Sequence, residues 1–189
     1  MATKRDKNFK YDAVIIGGLG HVGLPLGLVF ANKGLRVCLH DKNIKNAELV
    51  QNGVMPFIEY GADPILKKLI KKKDALTVSS DIRDVSLAKY VVIAIGTPVD
   101  EYLNPNVRVF LEYFKTLKKY LRKNQTIIIR STIYPRTCQQ IMKVLGKNVL
   151  LAYCPERIAQ GYAIKELKEL PQLVAGVTQK AQNSAIKLF

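Results

Sequence analysis

Short, almost wholly apolar runs alternate along the chain with longer segments in which apolar residues return every three or four positions. The short runs predict strands at AVIIG (13–17), RVCLH (36–40), ALTVS (75–79), YVVIAIG (90–96), TIIIR (126–130) and NVLLAY (148–153), with QLVAG (172–176) as a further edge strand. Their Val, Ile and Leu content is nearly continuous, as expected of strands covered on both faces of a parallel sheet. The longer segments predict helices over 20–33, 44–51, 62–73, 107–122 and 136–145, and a last helix after QLVAGVTQ. Pro25, Pro64 and Pro135 fall at or near helix starts, where a missing N–H costs no intrahelical bond. Strand and helix alternating in this way predict an α/β domain. No internal repeat or interdomain linker interrupts the pattern. Residues 1–10 read as a basic flexible tail and residues 11–189 as one domain.

The first strand meets Gly18-Leu19-Gly20-His21-Val22-Gly23, a G-x-G-x-x-G motif that opens the first helix. In such a motif one glycine serves the tight turn, here assigned to Gly18. The second, Gly20, admits a pyrophosphate close to the backbone, and the third, Gly23, lets the helix pack on the sheet. The helix N-terminus then offers amides and a favourable dipole to phosphate. Asp41 ends the second strand about 20 residues on, where a carboxylate accepts hydrogen bonds from ribose hydroxyls and disfavours a 2′-phosphate. The expectation is a Rossmann-like, doubly wound, mostly parallel sheet with helices on both faces, and NAD as the cofactor. Three later strand ends also carry polar groups: Gly96-Thr97-Pro98, Ser131-Thr132 and Pro155-Glu156-Arg157. Ligands of open parallel sheets bind beyond such ends. Taken singly, each has a plainer use, as a turn, as a cap of the next helix or as a surface acid.

Composition narrows the picture. The formal net charge is +15. The lysines cluster at exposed helical spacings (Lys67, Lys68, Lys71, Lys72, Lys73; Lys115, Lys118, Lys119, Arg122, Lys123) with no stacking aromatic cluster beside them, so nucleic acid is not an expected partner. No apolar run reaches the length of a membrane span and MATKRDKNFKYD is no secretory signal, which leaves the cytoplasm as the default location. Cys38, Cys138 and Cys154 form no C-x-x-C pair and have only His21 and His40 for company, so no metal site is expected.

The glycine motif, GTPVDEYLNP (96–105), STIYPRT (131–137) and CPERIAQG (154–161) together resemble the NAD-binding N-terminal domain of the UDP-glucose/GDP-mannose dehydrogenases, from about Tyr11 to the end. PERIAQGYAIKEL followed by LPQLVAG is most similar to the branch acting on UDP-N-acetylhexosamines such as UDP-N-acetylmannosamine. The resemblance implies a two-step oxidation of a sugar C6 alcohol to a carboxylate, through an aldehyde and a cysteine-bound thiohemiacetal, with two NAD⁺. It implies that Gly18, Gly20, His21, Val22, Gly23, Asp41, Thr97 and Thr132 contact NAD. Thr132 and Glu156 would be catalytic, holding a water and serving acid–base chemistry. It further implies a UDP-sugar partner and a homo-oligomeric full-length form, with the nucleophilic cysteine and the substrate domains in later segments that this chain lacks. Two positions depart from the family pattern: Gln160 stands where some relatives carry a second glutamate, and His21 where tyrosine is common. A 3-hydroxyacid-type dehydrogenase shares the glycine loop but gives no reason for PERIAQG. A short-chain dehydrogenase is excluded, because no tyrosine has lysine four positions on. A non-catalytic NAD-binding module or truncated inactive fragment is the alternative of a different class.

Overall fold

The computed structural model describes residues 8–97, 101 and 106–189. The first seven residues of the expected tail, and Pro98 and Pro105, lie outside this set. The strands are β1 (Tyr11–Ile16), β2 (Val37–His40), β3 (Leu76–Ser79), β4 (Ala88–Ile93), β5 (Thr126–Ile129), β6 (Leu150–Tyr153) and β7 (Ala175–Gly176). They form one sheet in the order β3-β2-β1-β4-β5-β6-β7. All neighbours are parallel except the β6–β7 pair. The helices are α1 (Gly23–Asn32), α2 (Ile44–Gln51), α3 (Ala62–Ile70), α4 (Val107–Lys118), α5 (Thr137–Leu145), α6 (Ala163–Glu169) and α7 (Gln179–Ile186). This is the doubly wound arrangement expected, and the strand order reverses between β1 and β4. The crevice at that reversal is where open α/β sheets hold ligands.

Alternation along each strand divides the interior in two. Ala13, Ile15, Leu39, Val92 and Ile128 face a core built with α1 and α3, to which Ile164 of α6 and Ala185 of α7 contribute. Val14, Ile16, Val91, Ile93, Ile127 and Ile129 face Phe110, Phe114, Ile141 and Leu145 of α4 and α5. Helix α1 is apolar all round and buried from Gly23 to Leu28, because it lies between the sheet and α3 and α6. Its proline is the third helical residue, inside the turn whose amides have no intrahelical acceptor.

The differences from the sequence reading have local causes. Helix α1 begins at Gly23 because Gly20–Val22 form the turn over the sheet edge. The lysine-rich and polar ends of α3 and α4 turn off at Ile70 and Lys118. The edge strand shrinks to two residues. Two elements were not anticipated: a 3₁₀ helix (Ile82–Leu87) and α6, a seven-residue helix that buries only Ala163 and Ile164. Neither is long enough to write a periodic pattern. Among the described residues no helix is long and apolar enough to cross a membrane.

Candidate dinucleotide-binding site

The chain leaves β1 through a turn whose left-handed residue is Gly17 (φ +78°), not Gly18 as the motif suggested. The amides of Gly17 and Gly18 both donate to His40 O, at 3.0 and 3.1 Å, which ties the loop to the end of β2. The glycines then differ sharply in what a side chain would meet. A Cβ on Gly17 falls 2.6 Å from Ala94 O, one on Gly18 falls 2.8 Å from Leu39 Cα, and one on Gly23 falls 2.2 Å from Gly17 O. Those three are required by close crossings of backbone. The nearest contact of a Cβ on Gly20 beyond its chain neighbours is Gly17 O at 3.5 Å, so packing among the described residues does not need glycine there. Packing therefore leaves close approach of a pyrophosphate as the use that the motif gives Gly20. Val22 occupies the N-cap of α1, and no side chain caps the first-turn amides. That leaves the positive end of the helix dipole directed at the loop.

Asp41, at the end of β2, holds the loop from the other side. Its Oδ2 accepts from Leu19 N at 3.0 Å and its Oδ1 from Asn43 N at 3.1 Å. Each carboxylate oxygen keeps acceptor capacity beyond one backbone bond. Asn46 Nδ2 donates to Leu19 O at 3.3 Å, so α2 also braces the loop. His40, beside Asp41, is buried, and among the described residues its Nδ1 has no partner. Burial lowers its pKa below the ordinary 6.5, against the pull of nearby Asp41 and Asp84.

On the other side of the strand-order reversal, the ends of β4 and β5 are stitched together. Arg130 N and Ser131 N both donate to Ile93 O, at 2.8 and 3.2 Å, and Ser131 Oγ donates to Ile95 O at 2.6 Å. Thr97 Oγ1 donates to Thr132 O, which brings these two predicted residues side by side with the Thr132 side chain exposed. Neither Ser131 nor Thr132 caps α5, whose N-cap is Arg136. The glycine loop, Asp41, Thr97 and Thr132 thus lie at the carboxyl ends of β1, β2, β4 and β5, four strands adjacent in the sheet.

Glu156, beyond β6, is oriented differently. Its Oε2 pairs with the guanidinium of Arg130, which is 1% exposed, while Oε1 accepts from Arg157 N at 2.8 Å and Ile158 N at 3.1 Å. Arg130 also donates to Gln172 Oε1 at 2.6 Å and lies 5.2 Å from the Phe189 ring centroid. Sequence reasoning passed over Arg130; its only signal was a cation closing an otherwise apolar strand. It also passed over Glu59, a carboxylate 3% exposed in the α2–α3 connection, for which no local signal existed. The neighbouring Phe57 ring lies against His21 of the glycine motif, with centroids 4.0 Å apart. Burial raises the thiol pKa values of Cys38, to about 12, and Cys154, to about 11, and also that of Cys138. All three are therefore protonated thiols near neutral pH rather than nucleophilic thiolates.

Comparison with known proteins agrees with this geometry. A family model described as "UDP-glucose/GDP-mannose dehydrogenase family, NAD binding domain" matches residues 12–189. A UDP-N-acetyl-D-mannosamine dehydrogenase of Methanococcus maripaludis is 28% identical over 186 residues, covering 96% of this chain and 43% of the relative. The structure of a UDP-N-acetyl-mannosamine dehydrogenase from Staphylococcus aureus superposes with a TM-score of 0.82 at 27% identity, over 93% of this chain and 44% of that one. A GDP-mannose dehydrogenase from Pseudomonas aeruginosa shares the fold, with a TM-score of 0.83 at 19% identity, over 94% of this chain and 43% of that one. The chain therefore spans less than half the length of each of these relatives.

Proposed function

Since the chain belongs to the UDP-glucose/GDP-mannose dehydrogenase family, as its NAD binding domain, we propose that it holds NAD⁺ for the oxidation of a UDP-sugar C6 alcohol to a carboxylate. The observation that carries the reading is the contrast among the glycines. Gly17, Gly18 and Gly23 are pinned by backbone, whereas a methyl on Gly20 would make only an ordinary contact, beside a helix N-terminus that no side chain caps. Gly18, Gly20, His21, Val22 and Gly23 form the phosphate cradle. The Asp41 carboxylate takes the adenosine ribose hydroxyls, and Thr97 with Thr132 borders the nicotinamide end. NAD⁺, when bound, supplies the hydride acceptor.

The substrate is a UDP-N-acetylhexosamine, a choice supported by the names of the relatives and by PERIAQGYAIKEL. Thr132, with its exposed hydroxyl, positions a water. Glu156 is engaged by Arg130 and by the Arg157 and Ile158 amides, so it serves as an acid–base group only if that pair opens. Cys38 and Cys154 are buried and Cys138 half-buried, with thiol pKa values raised by that burial, which supports a cysteine nucleophile supplied by another segment or chain. Residues 11–189 act as the cofactor unit behind a basic tail at 1–10, within a cytoplasmic homo-oligomer. A non-catalytic NAD-binding module is the second reading, favoured by the engagement of Glu156 in its ion pair.

Calorimetric titration with NAD⁺ and NADP⁺ tests the proposal. Saturable binding that prefers NAD⁺ is expected. Asp41→Ala should weaken it at least about tenfold, because hydrogen bonds to a charged acceptor are lost. A folded chain that binds neither nucleotide overturns the reading. Adding the catalytic segment of a relative separates the two alternatives, since restored sugar oxidation speaks for the enzyme domain and assembly without turnover for the module.

A further inference from the structure

The connection between α2 and α3, residues 53–61, touches two parts of the carboxyl edge that are far apart in sequence. At one end the Phe57 ring lies on His21 of the glycine loop, with centroids 4.0 Å apart and planes inclined by 33°. At the other end Glu59 points away from solvent into the loop after β6. Its Oε2 accepts from Gly161 N and its Oε1 from Ile164 N, both at 3.2 Å. Tyr60 N donates to Gly161 O at 2.9 Å, so the two segments are joined in both directions. The Tyr60 and Tyr162 rings, 5.2 Å apart, pack beside these bonds. Among the described residues Glu59 has no ion-pair partner, so its desolvated carboxylate is held by neutral amides alone. Its two carboxylate oxygens each take one amide, 102 and 105 residues away. The loop so held begins beside Glu156 and runs to the first turn of α6.

We propose that residues 53–61 are a strut that sets the glycine loop against the 156–164 loop, with Phe57 and Glu59 as its positioning residues. A nucleotide on the glycine loop presses on His21 and Phe57, and the strut transmits that constraint to the segment carrying Glu156. The nucleotide half of this proposal rests on the NAD reading above; the mechanical half does not.

Amide hydrogen exchange of the full chain, resolved at Gly161 and Ile164, separates the two halves. Without nucleotide, Phe57→Ala should speed exchange at both amides several-fold, and Phe57→Tyr, which keeps the ring, should restore the wild-type rates. Glu59→Gln leaves one acceptor oxygen for two amides, so at least one of them should exchange about tenfold faster, the usual consequence of losing a hydrogen bond. Saturating NAD⁺ should slow both amides in the wild type and in Phe57→Tyr but not in Phe57→Ala. A purely structural loop would show no such nucleotide dependence. Unchanged exchange in nucleotide-free Phe57→Ala overturns the strut, as does equal protection by NAD⁺ with and without the ring. If the wild type fails to bind NAD⁺, the cofactor reading falls, while the nucleotide-free Phe57 comparison still decides the strut. Should Glu59→Gln not fold, the two Phe57 variants decide it alone.

Discussion

Gly20 and Gly23 sit three residues apart in one motif, yet replacing each with alanine should break different things. A methyl on Gly20 meets nothing closer than 3.5 Å, an ordinary contact, and the residue is not in the left-handed region. Gly20→Ala should therefore fold, with about 0.4–1 kcal/mol of added stability from a less flexible unfolded chain, which corresponds to about 1–4 °C in Tm. A methyl on Gly23 lands 2.2 Å from Gly17 O and 2.9 Å from Gly18 Cα, both backbone-held, so the helix has to back away from the sheet. That overpacking costs about 3 kcal/mol, or about 6–12 °C of Tm for a chain of this size. Nucleotide binding should reverse the order of tolerance for Gly20, because its methyl enters the space meant for the pyrophosphate. Losing one or two charge-assisted bonds there lowers NAD⁺ affinity about 10–100-fold or more. Thermal unfolding by circular dichroism and calorimetric titration of the two variants provide the comparison. Gly20→Ala binding NAD⁺ as tightly as the wild type would refute the assignment of Gly20 to the phosphates. Gly20→Ala unfolding at a lower temperature than Gly23→Ala would refute the reading of the packing.

The buried pair of Arg130 and Glu156, with side chains 1% and 11% exposed, should show strong coupling in a double-mutant cycle. Arg130→Met and Glu156→Gln each strand a partner and should cost about 3–5 kcal/mol in urea unfolding, and the double variant much less than their sum; additive losses would show that the pair contributes nothing as a pair. His40 gives a pH dependence whose sign follows from burial. Its folded pKa lies below the unfolded 6.5, so the unfolded chain binds the extra proton, and stability is present above 6.5 and lost as pH falls from there through the folded pKa. The urea midpoint should drop between pH 7.5 and 5.5 in the wild type and drop less in His40→Gln; equal slopes would remove His40 as the cause.

Much of this was legible along the chain. Alternation of apolar runs with 3.6-residue periodicity located six parallel strands and the helices between them, because burial on one or both faces of an element is written locally. The glycine motif marked the turn for the same reason, and Asp41 could be placed at its side because a strand of known length ends beside its neighbour. Tertiary structure decided what depends on which strands lie side by side and how closely their backbones cross. It moved the left-handed residue to Gly17, against the backbone of Ala94 just beyond β4. It closed Glu156 onto Arg130, 26 residues away, because β5 and β6 are neighbours in the sheet. It brought Glu59 to the start of α6, a helix too short to announce itself. Periodicity records which face of a segment is buried, not which distant segment covers it. A polar side chain satisfied by an amide about a hundred residues away leaves no local trace, because its partner exists only once the crossovers have brought the two loops to the same edge of the sheet.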